Sequence, residues 1–250
     1  MDLPDILHVE AAGYGGFAGG RSRGSIPPHF IAFEAFRRVL EQFPGARRLH
    51  IGGAADPLLH PRFFDMARHA AERGLEVSAD SVLTGLSRER AEACVESGLR
   101  RLNVPFDAQD AVLQRNLKRL HEAKRRLGAA YPRIFLQKPT PAAATGRCDR
   151  PSRSVYLSTS CDVLPCDRVK GPWRPTFGNA RKEGMLRVWN GEEFRAFREK
   201  LASDDLPKVC AGCELRNSPL DLGQNGAWNE STMPPPSATS STTPPRPTAA

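Results

Sequence analysis

The first 93 residues contain no cysteine, so the amino-terminal third has no thiolate ligand or thiol nucleophile of its own. Nowhere in the 250 residues does an apolar run approach the ~18 residues of a membrane span. The opening Met1-Asp2-Leu3-Pro4-Asp5 has neither the basic start nor the long apolar stretch of a secretory signal. We therefore expect a cytoplasmic chain without a membrane partner. Aromatic residues are only 7% of the total, and no stacking platform accompanies the basic charge, which disfavours nucleic acid as a partner.

What is present is a 40% hydrophobic content, enough to bury a core in one or two domains, a net charge of +8, and six cysteines: Cys94, Cys148, Cys161, Cys166, Cys210 and Cys213. In a reducing compartment such thiols are core residues, metal ligands or catalysts rather than disulfides. The basic charge is densest from Arg115 to Arg126, where Leu113, Leu117, Leu120 and Leu127 recur at helical spacing. That pattern reads as a helix with a solvated basic face.

Along the chain, short apolar segments alternate with helical ones. Ile6 to Glu10, Arg48 to Gly52, Glu76 to Ala79, Arg101 to Phe106 and Arg133 to Gln137 read as strands. Phe30 to Phe43, Pro61 to Arg73, a segment capped by Ser87 and closed by Gly98, and Asp107 to Leu127 read as the helices between them. A string of βα units forms a parallel sheet, open or partly curved into a barrel, so the fold class is α/β. The pattern changes at Pro139, and we place a boundary there: residues 1–138 are one domain, 139–217 a small cysteine-rich one, and 218–250 a tail. In the last twenty residues six are Pro and nine are Ser or Thr, a composition that predicts disorder.

Two motifs carry chemistry. Gly13-Tyr14-Gly15-Gly16-Phe17-Ala18 fits the G-x-G-x-x-G/A dinucleotide fingerprint, with Glu34 near the place of the ribose-binding acid, which makes an NAD-binding oxidoreductase a rival reading. The fingerprint needs a helix that starts inside it, and Gly19-Gly20 followed by Pro27-Pro28 forbids one; the bland reading is a loop of about twenty residues at the top of the sheet. The second motif is Cys210-Ala211-Gly212-Cys213, with Cys148 and Cys166 at the other end of the same segment. Four thiolates saturate either a tetrahedral zinc or a four-iron cubane, and spacing alone leaves both open. Cys94 reads as a buried helical thiol, and Cys161 as a spare thiol in a turn.

Together these segments resemble the radical S-adenosylmethionine superfamily, in the branch with a C-terminal SPASM or twitch domain. The resemblance is carried by Cys148-Asp149-Arg150-Pro151, Val155-Tyr156-Leu157-Ser158, Asp162-Val163-Leu164-Pro165-Cys166, Phe177-Gly178-Asn179, Val188-Trp189-Asn190-Gly191, Phe194, Phe197-Arg198 and the Cys210–Cys213 pair, in that order. It implies a shortened (β/α) barrel followed by a SPASM/twitch domain in which Cys148, Cys166, Cys210 and Cys213 hold one auxiliary four-iron four-sulfur cluster, zinc being the alternative. The downstream cysteines of a second cluster are absent, and Cys161 stands where the family's turn has glycine. Gly53-Ala54-Ala55-Asp56-Pro57, followed by Leu58-Leu59-His60-Pro61, resembles the G-x-G-E-P segment that contacts the amino group of S-adenosylmethionine, with Asp56 for Glu and Ala55 for Gly.

The departure comes at the loop after the first strand, where the family's C-x-x-x-C-x-x-C would hold the reactive cluster. Gly13 to Gly20 contains no cysteine. About forty residues separate Asp107 from Cys148, too few for the barrel's last βα units. The expected protein is thus a family member with one auxiliary cluster and no radical catalysis of its own. The alternative is a non-catalytic scaffold or partner subunit of an intact radical S-adenosylmethionine paralogue. Expected partners are that paralogue, or a peptide or small-molecule substrate.

Overall fold

Six segments share one pattern of alternation: Ile6-Leu7-His8-Val9-Glu10, Arg48-Leu49-His50-Ile51-Gly52, Glu76-Val77-Ser78-Ala79-Asp80, Arg101-Leu102-Asn103-Val104-Pro105, Arg133-Ile134-Phe135-Leu136-Gln137 and Ser154-Val155-Tyr156-Leu157. Aliphatic residues alternate with polar or aromatic ones. A parallel strand covered on both faces is aliphatic throughout, whereas alternation at period two marks one apolar face and one of different character.

The computed structural model of the chain describes residues 3–14, 28–43, 45–105, 107–137, 148–167, 174–203, 205–211 and 213. Its strands are β1 (Ile6–Glu10), β2 (Ala12–Tyr14), β3 (Pro28–Phe30), β4 (Arg48–Gly52), β5 (Glu76–Asp80), β6 (Arg101–Pro105), β7 (Arg133–Gln137), β8 (Ser154–Leu157) and β9 (Val163–Leu164). Seven form one sheet in the order β7-β6-β5-β4-β1-β8-β9, parallel except where β9 turns back along β8, and β2 and β3 make a separate antiparallel ribbon. The helices between the parallel strands are α1 (Phe33–Glu41), α2 (Phe63–Glu72), α3 (Arg88–Glu96) and α4 (Ala111–Arg126).

From β1 through β4, β5 and β6 to β7, each parallel strand lies beside its predecessor without a reversal of direction. Right-handed crossovers then put all four helices on the same face, as in a barrel, and leave the other face uncovered by them. The aliphatic set agrees: Leu7, Val9, Leu49, Ile51, Val77, Leu102 and Val104 are buried in one cluster with Phe36, Leu40, Phe63, Met66 and Leu117 from the helices. Each such burial contributes about 1.5–3 kcal/mol before ordering entropy is subtracted. Side-chain caps set the helix starts, Ser87 Oγ accepting from the Arg90 amide and Asp110 from those of Val112 and Leu113. Gly98 closes α3 at φ +78°, and a Cβ there would stand 2.6 Å from that of Ala71 on α2, so glycine serves both the turn and the packing.

The cysteine-rich segment adds α5 (Arg150–Arg153), α6 (Met185–Trp189) and α7 (Glu192–Ala202). Its nucleus is aromatic: Phe177 and Phe194 stack with centroids 4.3 Å apart, and Trp189 meets Phe194 edge-on at 5.1 Å. β8 lies beyond the expected boundary at residue 138, yet it pairs with β1 from Ile6–Ser154 to Val9–Leu157, so one sheet runs through both segments.

Several expectations change. The helix predicted from Phe30 begins at Phe33, because Pro28–Phe30 pairs with Ala12–Tyr14. That ribbon also removes the dinucleotide reading: Gly13 and Tyr14 are strand, the first helix after them among the described residues is α1, and Glu34 pairs with Arg37 on its exposed side. On α4 the basic face is less solvated than predicted, since Lys124 is buried and its Nζ donates to the Pro132 carbonyl at 2.8 Å, while Leu127 is exposed. The expected tail, 218–250, lies outside the described residues.

Candidate functional site

The face of the sheet opposite the helices is polar, and its side chains form a linked row across the strands. On β6, Arg101 Nε donates to Asn103 Oδ1 at 2.6 Å, and the guanidinium lies 3.6 Å from the Phe135 ring centre. Asn103 Nδ2 donates to Asp80 Oδ1 at 2.7 Å, and Asp80 Oδ2 is 3.3 Å from His50 Nε2. His50 Nδ1 is 3.0 Å from Ser78 Oγ, whose own proton points at the Leu49 carbonyl, 3.4 Å away. A protonated His50 would donate at both positions, and a neutral ring at one of them with Ser78 Oγ as its other partner. Burial opposes that charge, but Asp80 outweighs it and holds the His50 pKa above its ordinary value. Asp80 responds in kind: burial works against its ionisation, and His50 with Asn103 draws its pKa well below the usual carboxylate range.

His8 completes the row. Its ring stands 4.4 Å from that of His50, tilted by 33°, with Tyr156 edge-on at 6.2 Å. Burial, then the charge on His50, lower its pKa to about 3, so it is a neutral imidazole at physiological pH. Among the described residues its Nε2 is buried and has no hydrogen-bond partner.

Glu10 anchors the loops above this row. Its buried carboxylate accepts from the Ala54 amide at 3.1 Å and the Thr159 amide at 3.3 Å, which ties β1 to the loops after β4 and β8. Gly53 lies at φ +150°, and a Cβ there would stand 2.4 Å from the Ala12 carbonyl oxygen and 2.8 Å from Glu10 Cγ. Only glycine fits. Gly53, Ala54, Ala55, Asp56 and Pro57 line a cavity of about 430 Å³ together with His8, His50, Asp80, Ser81, Tyr156 and Asp167. The sequence-predicted segment and the polar row therefore share one site. Asp56 is less available than its predicted role requires: it accepts from the Leu58 amide at 3.0 Å, the Ser81 hydroxyl at 2.7 Å and the Thr84 amide at 2.9 Å, holding the loops after β4 and β5 together.

His8, His50, Asp80, Asn103 and Tyr156 were not predicted as site residues. The signal was the period-two alternation itself, which marks the inward positions of every strand once the strands are taken together.

The four predicted ligand thiols sit in the carboxyl segment. Cys210 is buried, and Cys148, Cys166 and Cys213 are half-buried. Burial raises the Cys148 thiol, with smaller contributions from the charges of Asp149 and Cys213, against a backbone hydrogen bond and the charge of Arg150, which favour its thiolate. Among the described residues, no three His, Cys, Asp or Glu side chains close to the spacing of a single ion's coordination shell. The remaining thiols match their readings: Cys94 is fully buried in α3, where burial pushes its pKa up to about 12, and Cys161 is buried at φ +66°, the left-handed backbone of a turn glycine.

A parallel α/β sheet covered by helices on one side, carrying a ligand cavity on the other and extended by a cysteine-rich segment, defines the class. Comparison with known proteins adds what each part resembles. Residues 148–214 match SPASM, the iron-sulfur cluster-binding domain. The crystal structure of BtrN in complex with AdoMet and 2-DOIA superposes on 80% of this chain and 87% of its own, with a TM-score of 0.57 and 16% identity; an open BtrN structure gives 0.56 over 85% of this chain and 92% of its own, at 16% identity. The tungsten-containing aldehyde ferredoxin oxidoreductase cofactor-modifying protein of Pyrococcus furiosus is 31% identical over 70 residues, which are 27% of this chain and 20% of that relative. Residues 148–214 thus carry a SPASM-type segment, and the described residues share the fold of the BtrN structures.

Proposed function

We propose that this protein holds one four-iron four-sulfur cluster through Cys148, Cys166, Cys210 and Cys213 and does not itself cleave S-adenosylmethionine. One observation carries the reading: the segment that matches the cluster-binding domain contains four thiols in family order, while the loop after β1 contains none. Reductive cleavage of a sulfonium needs a cluster held by three thiolates, with one iron left open to chelate the cofactor. Four thiolates saturate a cubane, which then stores or relays an electron.

The donor set fits the group. A single zinc, with Zn–S bonds of about 2.3 Å, draws its sulfurs into van der Waals contact. A cubane stands them further apart, because the iron-sulfur body lies between them. Four thiolates can satisfy either, and zinc is the alternative that metal analysis separates. Asp167, next to Cys166, and Tyr156 of β8 both line the 430 Å³ cavity, so the cluster-bearing segment supplies one of its walls. An intact radical S-adenosylmethionine paralogue is the partner this reading requires for radical chemistry.

Anaerobic expression with iron and sulfide analysis tests the proposal. The expected result is a brown protein with about four iron and four sulfide per chain, reduced in Cys213→Ala, and no S-adenosylmethionine cleavage after reduction. A colourless protein holding zinc alone, or no metal, overturns the cluster; cleavage by the isolated chain overturns the second half.

A further inference from the structure

A second cavity, of about 310 Å³, lies where α1 meets residues 179–184, the turn that leads into α6. Arg38 and Gln42 of α1 form one wall and Ser160, Asn179, Arg181 and Lys182 of the carboxyl segment the other, and no residue is shared with the 430 Å³ cavity. Gln42 joins the walls: its Oε1 accepts from the Met185 amide at 2.6 Å, and its Nε2 donates to the Ala180 carbonyl at 3.5 Å. Asn179 sets the far wall, its Nδ2 donating to the Ser160 carbonyl at 3.0 Å and its Oδ1 accepting from the Arg181 amide at 3.1 Å.

The charge lining this cavity has one sign. Arg38, Arg181 and Lys182 are exposed, and among the described residues none of them makes an ion pair, whereas Arg37, next to Arg38, pairs with Glu34 at 3.2 Å. The carboxylates of the far wall are turned to other partners: Asp162 accepts from Asn179 Nδ2 at 2.8 Å and from Ser158 Oγ at 3.3 Å, and Glu183 accepts from the Asn179 amide at 2.8 Å. Neither lines the cavity. Three like charges around one concavity repel one another, and an anion seated between them relieves that repulsion in a place where the concave shape concentrates their field. Guanidinium forks match the paired oxygens of phosphate and carboxylate alike. A carboxylate carries one charge in one plane. A diphosphate carries a charge comparable to that of the three cations in a compact body with oxygens on every side, and a cavity at the lower end of small-molecule sites accommodates it.

We propose that this cavity binds a diphosphate group, free or as part of a nucleotide, between Arg38 on α1 and Arg181 and Lys182 on the carboxyl segment. Bound there, the anion bridges the two walls that Gln42 already joins. The site goes beyond the cluster assignment and does not depend on it, because no thiol lines it.

Calorimetry on the full chain with inorganic pyrophosphate, ADP, inorganic phosphate and citrate, at matched ionic strength and without magnesium, tests the ligand class. Pyrophosphate or ADP should bind about tenfold tighter than phosphate or citrate, the tighter of the two telling the free diphosphate from the nucleotide, and should raise the melting temperature. One charge-assisted hydrogen bond is worth about tenfold in affinity. Arg38→Gln and Arg181→Gln should therefore each weaken diphosphate binding by that factor with melting of the free protein unchanged, since both side chains are exposed. Arg37→Gln removes the same charge from the same helix outside the cavity and should leave binding as it was, which separates a site from the general attraction of a basic chain. Citrate binding as tightly as pyrophosphate, an equal loss in Arg37→Gln and Arg38→Gln, or no diphosphate binding overturns the proposal. Because the readout is anion affinity, loss of the cluster assignment leaves the result interpretable, and failure here leaves the iron analysis untouched.

Discussion

β1 and β8 are neighbours in one sheet, paired residue for residue from Ile6–Ser154 to Val9–Leu157, yet the chain that follows each is chemically opposite. After β1 come Glu10, Ala11, Ala12 and Gly13, with no thiol; after β8 come Cys161 and Cys166. Ala11 and Ala12 are fully buried, and the connection is made by backbone: the Ala11 amide donates to Gly52, and the Ala55 amide to Ala12. Those bonds do not depend on side chains, so Ala11 and Ala12 keep their place in the fold whatever chemistry the following residues carry. Strand packing and ligation are separable, and the four family-order thiols lie only on the β8 side.

Metal removal breaks the comparison most strongly. For structural metal sites the binding free energy is on the order of 10 kcal/mol or more of folding free energy. Chelation of the reconstituted protein should therefore unfold or loosen residues 148–213 and spare β4 to β7. Hydrogen exchange followed strand by strand should show protection lost at β9, reduced at β8 and retained at β4. Equal loss across the sheet would mean that the two regions fold as one unit.

Next is the packing of the carboxyl segment itself. Trp189 is 1% exposed and meets Phe194 edge-on. Trp189→Ala should cost about 3–5 kcal/mol, read as a drop in the denaturation midpoint together with a lower iron content. A variant that melts earlier yet loads iron normally would separate the aromatic nucleus from ligation.

A smaller effect sharpens the difference on the amino side. Facing His8 are His50 on β4, Asp80 on β5, Asp167, and Arg150 at the start of α5. Its pKa is lowered from 6.5 to about 3, so between those values the unfolded chain binds a proton that the fold refuses. Stability contributed by neutral His8 is complete above about pH 6.5 and falls with pH, by up to about 1.4 kcal/mol per unit. His50 acts in the opposite sense, since its raised pKa gives stability that is complete below pH 6.5 and fades as pH rises through the folded value. Asp80, lowered, contributes above the usual carboxylate range and fades as pH falls through its folded value. His8→Phe should flatten the decline between pH 6 and 4 in urea titrations; an unchanged slope would mean that His8 takes up its proton in the fold.

Much of this was legible in the chain. The strands and helices of the amino half follow from aliphatic periodicity, and the cap at Ser87 is where the sequence placed it while that at Asp110 lies three residues after the predicted helix start, because these are local signals. The four-thiol frame was legible for the same reason, its spacing being a property of one segment. The polar row was not, since His8, His50, Asp80 and Asn103 come from four strands and each by itself is one polar residue in a short strand. Only parallel pairing in register makes them neighbours. The β2–β3 ribbon escaped because Gly13 and the Pro27-Pro28 pair write a loop, and the pairing joins residues across a span that carries no strand signal.

The smallest effect concerns the thiol that the four-cysteine frame leaves out. Cys161 is buried at φ +66°, a region where a side chain costs about 1–3 kcal/mol and glycine costs little. Its amide donates to the Ser158 carbonyl and its own carbonyl accepts from the Ala180 amide, so the backbone of the turn is held on both sides. Cys161→Gly relieves the strained backbone and forfeits the buried side chain, two terms of similar size and opposite sign. The net change in stability should lie within about 1 kcal/mol. Iron and sulfide content should match the parent, in contrast to Cys213→Ala. Burial lifts the Cys161 pKa to about 11, so its thiol is protonated and unreactive at neutral pH, and alkylation of the folded protein should leave it unmodified. Loss of iron in Cys161→Gly would instead draw this thiol into the ligand set and turn the difference between the two sides of the β1–β8 pair into one of five thiols against none.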